Sequence, residues 1–285
     1  MKNATAADVV KGNEVEYINS DTIISKQNYY LITGEEQQGK TSLLKNTFRR
    51  LAEGGIPVVY IDARNIKTSD IDVVIGSELK KQYDNFSIES FLHEDIKTVL
   101  IDGIDFIGLN NKYRDLFLSN LKEKFQHIII TCNTSYSYIY PEIYELNDFS
   151  VYDLLGLGHA KRTELIEKWI SLGKEESIDE STLYEQCDEF KLKLDTIIRK
   201  NIVPPKPIYV LILLQMFEAY SQQNLEMTSY GHCYQQLVYQ SFDHAKIPKK
   251  DVEKYLNVLT ELAWRMHTNN GFIPESELPL FFKNY

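Results

Sequence analysis

The amino-acid sequence predicts an α/β fold with a parallel sheet, followed by a helical region and a smaller terminal domain. Up to about residue 155, short and continuously apolar segments alternate with amphipathic helical patterns, which is typical of a sheet buried between helices. From Gly156 onward the apolar residues recur only at helical spacing. The predicted parts are an N-terminal segment at 1–27, an α/β domain at 28–155, a helical domain at 156–224 and a winged-helix-like domain at 225–285.

The first predicted strand leads into a glycine-bounded loop. Apolar residues 29–32 precede Gly34-x-x-x-x-Gly39-Lys40-Thr41, and a helical pattern follows. Strand, loop and helix in this order are the phosphate-binding P-loop pattern, in which backbone N–H groups and a helix N-terminus converge on phosphate oxygens. Lys40 is expected to bind the β- and γ-phosphates, and Thr41 to be a Mg²⁺ ligand. The predicted nucleotide-binding residues of the loop are Gly34, Gln38, Gly39, Lys40, Thr41 and Ser42.

A second pair of candidate residues follows a later strand. The second strand is predicted at 58–61 and helices at 70–81 and 87–92, and the third strand is apolar from Thr98 until its terminal acid, Asp102. Ligands of parallel sheets lie beyond the carboxyl ends of the strands, so Asp102 is predicted to hold Mg²⁺. Asp105 lies three residues on and is predicted to polarise the attacking water. The alternative is that Asp102-Gly103 is only a turn and that Asp105 caps a helix.

The fourth strand, predicted at 127–131 after a helix at 110–125, ends in polar residues. One strand lies between the P-loop and Asp102 in sequence and another follows Asp102, an order that predicts a P-loop NTPase fold with an added central strand. Asn133, or Thr131, is then expected to hydrogen-bond the γ-phosphate or the attacking water. Asn133 turning the chain is the alternative. A fifth strand is predicted from Ile143 to Leu146.

The helical half adds two further candidates. Arg162 lies at the start of a helix predicted at 160–172, where a basic residue opposes the helix dipole, and it is expected either to reach a phosphate or to be solvated. It and Lys161 are also candidate partners for Glu35 and Glu36, because two acids within a phosphate-binding loop need a base or open solvent. A bend at Pro204-Pro205-Lys206-Pro207 is predicted before a helix at 208–220. Further helices are predicted at 180–199, 227–246, 250–266 and 273–282.

Composition excludes several classes of protein. The formal net charge of −10 argues against nucleic acid as a direct ligand. The three cysteines have no metal-ligand spacing, as expected of reduced cysteines in a cytoplasmic protein. The N-terminal ten residues have no signal-peptide core, and the longest apolar run is too short to cross a bilayer. We therefore predict a cytoplasmic protein that does not bind a membrane.

Several segments together resemble the signal-transduction ATPases with numerous domains (STAND), and within them NACHT-like proteins. The resemblance covers roughly residues 14–285, and the segments that carry it are 34–41, 99–106, 128–133, 155–173 and 200–215. Phe106 stands where NACHT proteins commonly have a further acid, and Asn133 where they commonly have Arg. These departures bear on the rate of hydrolysis more than on nucleotide binding.

The resemblance implies a molecular switch. Similar proteins hold ADP in a closed monomer and self-associate with ATP when a sensor meets its trigger, and some act in prokaryotic antiviral defence. It further implies that Pro205 and Pro207 contact the base or sugar, and that trigger and effector domains lie outside this chain. The predicted ligands are ATP or ADP and Mg²⁺, with slow hydrolysis.

Two other functions are left open by the sequence. An AAA-type ATPase motor or DNA-loading factor would need an arginine finger from a neighbouring subunit and a basic face. A nucleotide-binding scaffold would keep its ligand and never hydrolyse it. A kinase is less favoured, because nothing in the sequence resembles a lid with several phosphate-clamping arginines.

Overall fold

The computed structural model describes residues 17–84, 87–199, 203–219, 235, 238–239, 241–242, 245–269 and 271–283. The chain divides into two compact units. The first comprises Met1–Leu165 and Pro204–Val210, and the second comprises Ile166–Val203 and Leu211–Tyr285. Residues 204–210 thus belong to the first unit, although residues 166–203, which precede them in sequence, belong to the second.

The first unit is built on a five-stranded parallel sheet in the order β2-β3-β4-β1-β5. β4 lies between β1 and β3, which confirms the added central strand. Strands β1 to β4 are mainly apolar because both faces of the sheet are covered. The strands are β1 (Tyr29–Gly34), β2 (Val58–Asp62), β3 (Thr98–Asp102), β4 (His127–Asn133) and β5 (Ser150–Asp153).

Helices cover the sheet on its two faces. One face packs against α1 and α2 through a cluster that includes Ile23, Leu44 and Leu51. The other packs against α3 and α5 through a cluster that includes Ile75 and Phe117. The helices of this unit are α1 (Ser20–Ser25), α2 (Lys40–Glu53), α3 (Ile71–Gln82), α4 (Ile88–His93) and α5 (Asn111–Lys124).

The predicted fifth strand at Ile143–Leu146 is wrong. These residues enter a 3₁₀ turn, Tyr144–Leu146, and both Ile143 and Leu146 are buried. A spacing of three places two side chains on one side of a helical turn, whereas a strand would direct them to opposite faces. The fifth strand is instead β5, which pairs with Tyr30–Thr33 at the edge of the sheet and alternates between half-buried and exposed residues.

The remaining helices are α6 (His159–Ser171), α7 (Glu180–Arg199), α8 (Pro207–Ala219), α9 (Val252–Thr268) and α10 (Leu278–Phe282). The predicted helix at 273–282 begins too early, since a 3₁₀ turn at Glu275–Glu277 precedes α10. Pro279 lies in the first turn of α10, the one place where its missing N–H is tolerated. The helix predicted at 227–246 lies largely outside the described residues. No helix in the described part of the chain has the length and apolar character needed to span a membrane.

Candidate functional site

The loop between β1 and α2 has the backbone of a phosphate cradle. Gln37 (φ 63°) and Gly39 (φ 99°) are both in the left-handed region, which is rare for a residue with a side chain such as Gln37. Alternation of right- and left-handed residues turns successive N–H groups toward one point. Gly39 is the N-cap of α2 and has no side chain to cap the helix, so among the described residues its first N–H groups are open to an anion.

Lys40 is fixed along this loop by neutral acceptors. Its Nζ donates to the carbonyl oxygens of Gly34 at 2.5 Å and of Glu35 at 2.8 Å. These bonds use two of the three ammonium hydrogens and leave one for a phosphate oxygen. Burial lowers the pKa of Lys40, while the charges of Asp105 and other nearby groups act in the opposite direction. The cation is therefore oriented while its charge remains uncancelled.

Gln38 and Ser42 occupy different positions around the cradle. Gln38 Oε1 accepts a hydrogen bond from the Glu35 N–H at 2.6 Å, so its side chain folds back across the loop. Gly34 lies directly beside it, and a Cβ on Gly34 would be 3.3 Å from Gln38 Oε1. Ser42 is exposed in the first turn of α2, and within the described residues its side chain makes no hydrogen bond.

The fold is that of a P-loop NTPase.

Asp102, at the end of β3, accepts hydrogen bonds from three hydroxyl groups. Thr41 Oγ1 and Tyr60 Oη donate to Oδ2 at 2.7 and 2.8 Å, and Thr131 Oγ1 donates to Oδ1 at 2.7 Å. Thr131 Oγ1 in turn accepts from the Gly103 N–H at 3.0 Å. Burial and the bond to Asp102 both raise the pKa of Tyr60, with burial the larger cause, so Tyr60 is a donor at neutral pH.

The residues around Asp102 fit a magnesium ion. Mg²⁺ prefers hard oxygen ligands and is usually bound by one or two carboxylates, water and substrate phosphates. Thr41 and Asp102 provide two such oxygens, and Asp102 forms no ion pair among the described residues, so its charge is available. The described residues contain no group of three His, Cys, Asp or Glu side chains arranged for a metal. Water and phosphate oxygens would therefore have to complete the coordination.

Asp105, beyond the end of β3, lies beside Asn133, the last residue of β4. Asp105 Oδ1 accepts from the Asn133 backbone N–H at 3.2 Å, while Asn133 Oδ1 accepts from Ser135 N and Oγ, both at 3.1 Å. Gly103 (φ 71°) makes the turn between Asp102 and Asp105, and a Cβ there would lie 2.9 Å from the Phe106 ring. Asn133 thus uses its side-chain oxygen to turn the chain, and among the described residues its side-chain nitrogen makes no hydrogen bond.

The partner proposed for the loop glutamates is corrected by the structure. Glu35 Oε2 lies 2.7 Å from Lys206 Nζ, which also donates to the Glu36 carbonyl oxygen at 3.2 Å. Lys161 instead pairs with Glu164, three residues along α6. A base does meet the acidic loop, but it comes from the proline segment because residues 204–210 return to the first unit.

Arg162 and the two prolines have separate surroundings. Arg162 is buried and donates to the Leu157 carbonyl oxygen at 2.8 Å, with His159 Nδ1 2.9 Å away, so a freely solvated charge is wrong. The Pro205 carbonyl oxygen accepts from the Leu157 N–H at 2.7 Å. Pro207 Cγ lies 3.7 Å from the position a Cβ on Gly39 would take, which places Pro207 against the phosphate loop.

Sequence reasoning missed three residues of this site: Tyr60, the hydroxyl of Thr131 as a support for Asp102, and Lys206. Thr131 was considered as a phosphate sensor, but its hydrogen is directed at Asp102. Tyr60 is the one residue with a polar side-chain group among the four that begin β2, and this was the available signal. Lys206 had no signal, because it is 170 residues from Glu36 in sequence.

Comparisons with known proteins give limited likenesses. No family model matches the sequence, and no curated protein matches it. Domain III of the Thermotoga maritima replication initiation protein DnaA has 14% identity and a TM-score of 0.41, with 73% of this chain and 85% of that chain covered. AMPPCP-bound DnaA from Aquifex aeolicus has 15% identity and a TM-score of 0.37, with 87% and 80% covered. The Thermotoga maritima RuvB Holliday junction branch migration motor has 9% identity and a TM-score of 0.40, with 83% and 77% covered.

None of these three proteins is described as a STAND protein, and at such low TM-scores the likenesses carry no argument about activity. The assignment of the fold rests on the order of the strands and the geometry of the loop. That nucleic acid is not a direct ligand stays a prediction from net charge.

Proposed function

We propose that this chain binds ATP or ADP with Mg²⁺ and hydrolyses ATP slowly, as the core of a molecular switch. The contact of 2.7 Å between Thr41 Oγ1 and Asp102 Oδ2 gives the strongest support. It joins Thr41, in the first turn of the helix that follows the phosphate cradle, to Asp102, the carboxylate proposed to hold the metal, across 61 residues of sequence.

Phosphate binding follows from the loop's donors. The first N–H groups of α2 and the third hydrogen of the Lys40 ammonium are donors that polyphosphate oxygens would accept from. When bound, Mg²⁺ would neutralise charge on the β- and γ-phosphates. Thr41 and Asp102 are the residues that would hold it.

Hydrolysis depends on Asp105. Its Oδ1 accepts from the Asn133 N–H, whereas Oδ2 accepts no hydrogen bond within the described residues and is left to orient a water. The side chain that would meet the γ-phosphate, Asn133, is neutral. A neutral amide stabilises developing negative charge less than an arginine does, which is the physical reason to expect slow turnover.

The switch part of the proposal rests on the resemblance to STAND proteins and on Lys206. The ion pair between Lys206 and Glu35 attaches residues 204–207 to the loop that would hold the phosphates. A ligand in the loop and this segment therefore act on the same backbone. In this proposal, nucleotide exchange controls self-association in prokaryotic antiviral defence, and the trigger and effector domains lie outside this chain.

Nucleotide binding is tested by replacing one of two lysines of the same helix. Lys40→Ala should weaken binding of a fluorescent ATP analogue by about 100-fold, because it removes a charged donor from the phosphate site. Lys45→Ala is the matched control: Lys45 is exposed one turn further along α2, and its loss should leave affinity unchanged. Equal affinities for Lys40→Ala and wild type would rule out this site.

Single-turnover hydrolysis separates the switch from its alternatives. Asp105→Ala should lower the rate by at least about tenfold while nucleotide affinity stays within about twofold, since Asp105 acts on the water and not on the phosphates. No hydrolysis in either protein would favour the scaffold. Multiple-turnover rates above about 1 s⁻¹ that rise with added DNA would favour the motor.

A further inference from the structure

Hydrogen bonds hold both the hydroxyl and the backbone of Tyr60, and no step of the proposed function uses this residue. Its hydroxyl donates to Asp102 Oδ2 at 2.8 Å, the oxygen that Thr41 also contacts. Its backbone belongs to β2, one of the two edge strands, whose outward N–H and C=O groups meet no further strand within the described residues. The Gln82 side chain fills that gap: Oε1 accepts from the Tyr60 N–H at 2.9 Å and Nε2 donates to the Tyr60 carbonyl oxygen at 2.6 Å.

The length of the tyrosine side chain explains the contact. In the parallel register Tyr60 pairs with Leu100 and Asp62 pairs with Asp102, so Tyr60 begins two residues short of Asp102 along the strands. Two residues of strand rise by about 6.6 Å, a distance that a tyrosine ring and hydroxyl span and a serine or threonine cannot. Tyr60 packs in the same cluster as the α2 residue Leu44, hence on the face that carries Thr41.

We propose that Tyr60 is a positioning residue for the metal-binding carboxylate, an inference that rests on the proposed binding of Mg²⁺-nucleotide. A neutral hydroxyl fixes the orientation of Asp102 without cancelling its charge. Thr41 would hold Mg²⁺ through an oxygen lone pair, and the Tyr60 hydroxyl would keep Oδ2 of Asp102 in place beside it. Partners of this kind, one step removed from the metal, typically change metal affinity 10- to 100-fold, roughly, when they are removed.

Two isosteric variants test the proposal, one of Tyr60 within β2 and one of Tyr83, which follows α3 and contacts β2. Tyr60→Phe removes the hydroxyl at Asp102. Tyr83→Phe removes a half-buried hydroxyl that donates to the Val58 carbonyl oxygen at 2.6 Å, at the opposite end of the strand. Each variant loses one hydrogen bond from the same strand, so both should lose similar stability. A difference in metal binding between them would then reflect position alone.

The readout is the Mg²⁺ concentration that half-saturates binding of a fluorescent ATP analogue, measured beside the analogue's affinity in EDTA and the midpoint of thermal unfolding. Tyr60→Phe should raise the half-saturating Mg²⁺ concentration by about tenfold and leave the affinity in EDTA unchanged. Tyr83→Phe should change neither. If Tyr60→Phe does not fold, Gln82→Ala, which releases the Tyr60 backbone, should raise the same concentration by about threefold.

Three results would overturn the inference. If Tyr60→Phe and wild type have the same half-saturating Mg²⁺ concentration, the hydroxyl does not act on the metal, and the proposed function stands. Equal changes in Tyr60→Phe and Tyr83→Phe show a general loss of stability, and again the proposed function stands. Wild-type protein that binds the analogue equally well with Mg²⁺ and with EDTA removes the metal site itself, and both proposals fail together.

Discussion

Asp62 and Asp102 end neighbouring strands and are register partners, yet they are held in opposite ways. Asp62 is paired with the guanidinium of Arg64, with Oδ2 2.6 Å from Nη2 and Oδ1 3.0 Å from Nε. Asp102 is surrounded by the hydroxyls of Thr41, Tyr60 and Thr131. Asp62 has a cation against it, whereas the hydrogen bonds that Asp102 accepts from described residues come from neutral hydroxyl groups.

In the proposed function, this difference separates a structural acid, Asp62, from a metal ligand, Asp102. A guanidinium cancels the charge it binds, and hydrogen bonds from Arg64 lower the pKa of Asp62, partly offset by burial. Hydroxyls orient a carboxylate but leave its charge for another cation. Two lysines that contact the P-loop show the same contrast, since Lys206, from the proline segment, is paired with the Glu35 carboxylate whereas Lys40 is held by neutral carbonyl oxygens. In the proposed function, the ligand site is the place where Asp102 and Lys40 are oriented by neutral partners.

Replacing Asp62 and Asp102 in turn by asparagine should give the largest difference in nucleotide affinity. Asp102→Asn should weaken Mg²⁺-dependent nucleotide binding by about 100-fold, because it removes the one uncancelled carboxylate beside Thr41. Asp62→Asn should change the same affinity by no more than about twofold, since its charge is already offset by Arg64. Calorimetric titration with ATP at fixed Mg²⁺ measures both. Similar losses in the two variants would show that the form of pairing does not distinguish them.

Replacing Lys206 should change ATP affinity less than replacing Asp102. Lys206→Ala should weaken ATP binding by about threefold, because it exposes the phosphates to the charge of Glu35, which is largely solvated. Adding Glu35→Gln should restore wild-type affinity. Hydrogen bonding to Lys206 lowers the pKa of Glu35, and the pair therefore stays ionised from pH 6 to 8. The threefold difference should be constant over that range in fluorescence titrations, and failure of Glu35→Gln to rescue would contradict the electrostatic explanation.

The sequence predicts those parts of the site that depend on neighbouring residues. Gly39, Lys40 and Thr41 form one local motif, and Asp102 and Asn133 follow apolar strands whose order along the chain implies the added central strand. These predictions need only the rule that parallel strands end at the same edge of a sheet.

The contacts that depend on register or on a distant return of the chain were not predictable. Tyr60 meets Asp102 only because β2 and β3 pair in one register, and hydrophobic patterning leaves that register open when both strands are buried. Lys206 reaches Glu35 only because residues 204–210 return to the first unit. The prediction of the fifth strand was wrong for a related reason. The half-exposed residues of β5, at the edge of the sheet, give a weaker apolar pattern than Ile143 and Leu146.

The central claim is that a nucleotide is bound between the P-loop and Asp102. The most direct measurement is to denature the purified protein and chromatograph the released small molecules, alongside Lys40→Ala prepared in the same way. The wild type should release about one ADP or ATP per chain and the variant almost none, because nucleotide held by an oriented cation and a metal dissociates slowly. Wild-type protein that releases no nucleotide and binds none on titration with Mg²⁺-ATP would contradict the claim.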